Sequence, residues 1–74
     1  MINSITITST TIDRAFNIEA AKLIHDGLSL ITVDSFKRLV IMHALKHDEA
    51  NTVAWLKDLS KKISNNYKRA IGLF

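Results

Sequence analysis

His43 and His47 stand four residues apart in a stretch otherwise rich in aliphatic side chains. On a helix that spacing turns two imidazoles to one side, where they can share a divalent metal ion. A closed site needs further ligands, and Glu19, Asp26, Asp48 and Glu49 are the carboxylates available. None stands at a diagnostic spacing from the pair. His43 also lies in an apolar stripe, which fits a hydrogen-bonded core or interface histidine. His47 is placed in the last turn of a helix, where a cation suits the dipole. No metal and no cofactor is assigned.

Nucleophiles are no better grouped. Serines and threonines gather in residues 4–11, where strand and capping roles account for them. There is no glycine-rich phosphate loop, and Asp26-Gly27 is too short to count as one. A chain of this size also has little room to enclose a pocket of ordinary volume. The sequence reads as non-enzymatic.

The basic residues are unevenly placed. Residues 1–50 hold five Lys/Arg and six Asp/Glu, whereas residues 51–74 hold five Lys/Arg and one Asp. On a helix, Lys57, Lys61 and Lys68 form one stripe, and Lys62 and Arg69 another. This is a candidate face for an anionic partner, nucleic acid included. Its plain counterpart is a solvated lysine face. Trp55 and Tyr67 belong to the opposite, apolar side. A base-stacking platform would interleave aromatic and basic residues, so single-strand binding is disfavoured.

The elements that carry these residues are helical. Seventy-four residues with 47% hydrophobic content and no proline make one small folded domain. The absence of cysteine fits a reducing compartment. The start lacks a signal-peptide pattern, and the longest apolar run falls short of a membrane span. A cytoplasmic protein is expected.

The periodicity predicts an all-α domain of three helices near 12–26, 33–47 and 52–71, a helical hairpin behind an N-terminal extended arm. Residues 1–10 form that arm or a short strand, since Asn3–Ser9 alternate apolar and polar residues. Thr10 opens helix 1, with Asp13 at the capping-box position. Ile12, Phe16, Ala20, Leu23 and Ile24 share one face, and Gly27 stops the helix. Leu28–Ile31 form an apolar connector. Thr32 or Asp34 caps helix 2, and Asn51 or Thr52 caps helix 3. The intervening 47–51 segment has no glycine or proline, so helices 2 and 3 are nearly continuous. Helix 3 buries Trp55, Leu56, Leu59, Ile63 and Tyr67, Gly72 ends it, and Leu73-Phe74 folds back.

Helix 2 is apolar almost all round over Leu39–Leu45. Its main stripe, Val33, Phe36, Leu39, Val40, His43 and Ala44, is assigned to helices 1 and 3. Ile41, Met42 and Leu45 then face away and form the predicted self-association interface. A homodimer is the expected state. A dimeric ribbon-helix-helix DNA-binding regulator is the alternative, with Ser4, Thr6 and Thr8 turned outward from the strand. Those side chains read bases poorly, and the segment from Gly27 to helix 2 is too long for that fold.

Several short stretches have a common pattern: Asn3-Ser4-Ile5-Thr6, then Ile12-Asp13-Arg14-Ala15-Phe16, then Asp26-Gly27 closing a helix. An aliphatic helix, a polar break at 47–51 and the ending Ile71-Gly72-Leu73-Phe74 follow. In this order the chain resembles the small enterobacterial biofilm and acid-resistance regulators of the AriR type. The resemblance implies a helical homodimer acting as a non-enzymatic connector in stress or biofilm signalling, with an association with DNA also considered for such proteins. No binding residue is carried over. The expected function is thus a small regulator or inhibitor acting through protein–protein contact, of bacterial or mobile-element origin.

Overall fold

The computed structural model describes residues 9–72. Residues 1–8 and 73–74, which hold most of the expected arm and the expected fold-back of Leu73-Phe74, lie outside the described residues. Three helices follow one another: α1 Thr10–His25, α2 Leu30–Ala44 and α3 Glu49–Ala70. The all-α, three-helix reading holds, and no strand occurs among the described residues.

Each helix starts on a polar cap whose side chain accepts a backbone N–H three residues on. Ser9 Oγ accepts from Ile12 N at 3.3 Å, Ser29 Oγ from Thr32 N at 3.2 Å, and Asp48 Oδ1 from Asn51 N at 2.7 Å. These caps replace the expected Thr10, Thr32 or Asp34, and Asn51 or Thr52. The reason is local: serine and aspartate at Ncap satisfy an orphan donor of the first turn. Leu30 and Ile31 are therefore the first turn of α2 rather than a connector. Residues 45–48 form a turn that separates α2 from α3, so the two helices are not continuous.

Gly27 ends α1 as its position predicted. Its φ of 105° lies in the left-handed region. The Gly27 N–H donates to the Ile24 carbonyl and the Leu28 N–H to the Leu23 carbonyl, both at 3.0 Å. This pair of bonds is a Schellman motif, and buried Leu23 and Leu28 supply the apolar contact that accompanies it.

α1 packs mainly on α3, and the two run parallel. At one end the Ser9 hydroxyl donates to the Glu49 carboxylate. At the other, Ser64 Oγ donates to Asp26 Oδ2 and Tyr67 Oη to the Gly27 carbonyl, each at 3.4 Å. α2 runs back between these ends. The core joins Ile12, Ala15, Phe16, Ala20 and Leu23 of α1 with Leu28, with Phe36 and Val40 of α2, and with Leu56 of α3. Phe16 and Phe36 meet at 5.1 Å between ring centroids, tilted by 48°. Burying such a side chain is worth about 1.5–3 kcal/mol.

Three placements differ from the periodic reading. Ile24 of α1 is half exposed, as is Leu39 of α2, while Ile41 is half-buried against the core. Glu19, Thr52 and Ser60 are buried instead. Small or hydrogen-bonded polar residues serve where helices approach closely, and no buried side-chain N or O among the described residues lacks a partner.

Candidate interaction surfaces

The histidines of the i, i+4 pair belong to a stack. His47, in the turn after α2, lies over His43 with ring centroids 4.0 Å apart and planes 24° from parallel. On its other face His43 stacks on Trp55 of α3, at 4.1 Å and 14°. His43 Nδ1 is 3.1 Å from Oγ1 of Thr52, a fully buried residue. Burial, with the neighbouring His47 second, holds the His43 imidazole below its ordinary value of 6.5. The stack thus favours a neutral ring, and it ties the end of α2 to the start of α3. Among the described residues no three His, Cys, Asp or Glu side chains converge as a metal site.

The outer side of α2 is apolar and uncovered. Ile31 is 80% exposed, Leu45 81%, Leu30 72%, Met42 59% and Leu39 48%. Ile31 and Met42 of this 15-residue helix, with Leu45 at its C-cap, stand together on the open side, and Leu30 and Leu39 lie on its two opposite flanks, whereas scattered single ones are ordinary. Of the predicted interface residues, Met42 and Leu45 lie on this side. Ile41 is turned towards the core, and Leu39 takes a place on the open side. Ile31 extends this side by a turn, with Leu30 at its edge, into the segment whose composition predicts a connector. Midway along it sit Asp34 and Arg38, with Arg38 Nε donating to Asp34 Oδ2 at 3.1 Å.

The basic residues of α3 divide. Lys62 pairs with Asp58 at 3.1 Å. Lys57, Lys61, Lys68 and Arg69 have no carboxylate within 4.0 Å among the described residues. Lys57 and Lys61 line an open groove between α1 and α3, together with Lys22, Ser60, Ser64, Glu19 and Asp26. Lys22 there pairs with Glu19 at 3.4 Å. Three cations and two carboxylates share this groove, so its positive charge is partly offset. Lys68 is half-buried, and Arg69 is exposed in the last turn of α3.

Among the described residues, no helix is long and apolar enough to cross a membrane. Comparison with protein-family models, with curated proteins and with solved structures found no match to this chain.

Proposed function

We propose that this chain is a small non-enzymatic regulatory module that works by protein–protein contact through the outer face of α2. The carrying observation is that patch of Leu30, Ile31, Leu39, Met42 and Leu45. Monomeric domains seldom leave so large a share of one helix apolar and open. The chemistry-bearing side chains have structural employment: His43 and Thr52 in the stack, Ser9 and Ser29 as caps, Glu19 with Lys22. The resemblance to AriR-type regulators supports a cytoplasmic connector or inhibitor in bacterial stress or biofilm signalling, or a mobile-element product of the same kind.

A photo-crosslinking residue placed at Met42 tests this in cells, with one at exposed Asn65 of α3 as the comparison. Adducts are expected from Met42 and not from Asn65. Adducts from Asn65 alone would reject the α2 face.

A second reading takes the lysines of α3 as a nucleic-acid interface. It is favoured by Lys57 and Lys61, which have no carboxylate partner among the described residues beside Lys22. Such binding would fall steeply with added salt.

A further inference from the structure

We propose that the occupant of the α2 face is a second copy of this chain, its α2 lying antiparallel about a two-fold axis level with Phe36 and Lys37. The inference rests on the reading of that face as a docking surface and adds the partner and its register.

The open side of α2 is self-complementary. At 100° per residue, Asp34, Leu45, Arg38, Ile31 and Met42 fall within an arc of about 80° on the open side of α2. Along the axis they alternate in kind: apolar Ile31, acidic Asp34, basic Arg38, apolar Met42 and Leu45. An isologous contact requires every group to find its complement in the same surface turned end for end. Here Ile31 and Met42 are balanced about a point between Phe36 and Lys37, and the charges about Phe36. These two centres differ by half a residue, or about 0.8 Å of helix. One axis therefore sets Ile31 against the partner copy's Met42 and Leu45, and Asp34 against its Arg38.

The Asp34–Arg38 bond inside each helix then opens into a four-group network across the axis. Exposed ion pairs are worth little in themselves, so exchanging partners is nearly free of penalty. Their use is in register: a slip sets like charge against like. The exposed Ile31, Met42 and Leu45 are the apolar side chains such a contact covers, with Leu30 and Leu39 at its flanks. Antiparallel helices also place opposite dipole ends side by side. Asp34 and Arg38 are exposed, with side chains 52% and 63% accessible. They can be altered without disturbing the fold.

The test uses the full chain and reads mass by sedimentation and native mass spectrometry, with helicity checked by circular dichroism. The wild type should be a dimer. Asp34→Arg alone and Arg38→Asp alone should each weaken self-association by about tenfold or more, through like charges at the axis. Mixing these two variants should give a one-to-one heterodimer tighter than either homodimer. The doubly swapped chain, Asp34→Arg with Arg38→Asp, should dimerise as the wild type does. If Met42→Glu abolishes the dimer but the charge changes do not alter it, the face is right and the antiparallel register is overturned. If Met42→Glu leaves the dimer intact, both the register and the α2 face are overturned. A wild type that stays monomeric at the highest attainable concentration overturns the second copy and leaves the face to a different protein.

Discussion

Trp55 lies flat on His43, ring centroids 4.1 Å apart, and the imidazole they share with His47 bonds to the buried hydroxyl of Thr52. This junction makes stability depend on pH. The His43 value is held below 6.5 in the folded chain, so the unfolded chain binds more protons as pH falls. The contribution is fully present above 6.5 and is lost as pH falls through the folded value. Urea unfolding should show falling stability between neutral and mildly acidic pH, and His43→Gln should flatten that slope. Trp55 fluorescence, followed against pH, should report the same titration.

Thr52→Val tests the other side of the junction. Valine keeps the shape but deletes the partner of His43 Nδ1. The expected loss is about 1 kcal/mol of unfolding free energy. A stability unchanged within error would show that the 3.1 Å contact adds nothing.

Gly27→Ala should destabilise for two reasons that can be separated. The φ of 105° is strained for an L-residue, and a Cβ there would lie 2.9 Å from Tyr67 Oη. The substitution should cost about 1 kcal/mol or more. In a Tyr67→Phe background the steric part disappears, so the additional cost should shrink. Equal costs in both backgrounds would assign the whole effect to the backbone.

Lys57→Glu with Lys61→Glu addresses the basic groove. Both side chains are exposed, so helicity and oligomeric state should stay unchanged. If the groove takes a nucleic acid, binding should weaken and its salt dependence flatten. Unaltered binding and activity would leave these lysines as a solvated face.

The three helices were legible because Gly27, the aliphatic period of residues 33–45 and the amphipathic run after Thr52 each speak locally. The helix starts were less so. Ser29 and Asp48 cap about a turn earlier than the periodic apolar residues begin, and exposed Leu30 and Ile31 do not look like the opening of a helix. The rotation of α2 was harder still. Leu39 and Ile41 lie on opposite flanks of its buried stripe, and a turn of about 30° about the helix axis decides which is covered. Only the packing of α1 and α3 sets that angle. The same holds for Glu19 and Ser60, whose burial depends on where those two helices meet. In the candidate surfaces, Met42 and Leu45 were legible as outward-facing. The Asp34–Arg38 pair at their centre carries no signal in the sequence, because an i, i+4 ion pair is ordinary on a helix.

The pairing of α1 with α3 governs when the chain can fold. Its ties link Ser9 to Glu49 and Gly27 to Tyr67, each across 40 positions. During synthesis α1 and α2 emerge from the ribosome while the greater part of α1's packing surface is still unmade. Closing so long a loop must precede the contacts that reward it, which slows the step. The nascent chain therefore passes through an interval with Ile12, Phe16 and Leu23 uncovered, which ends when α3 is released.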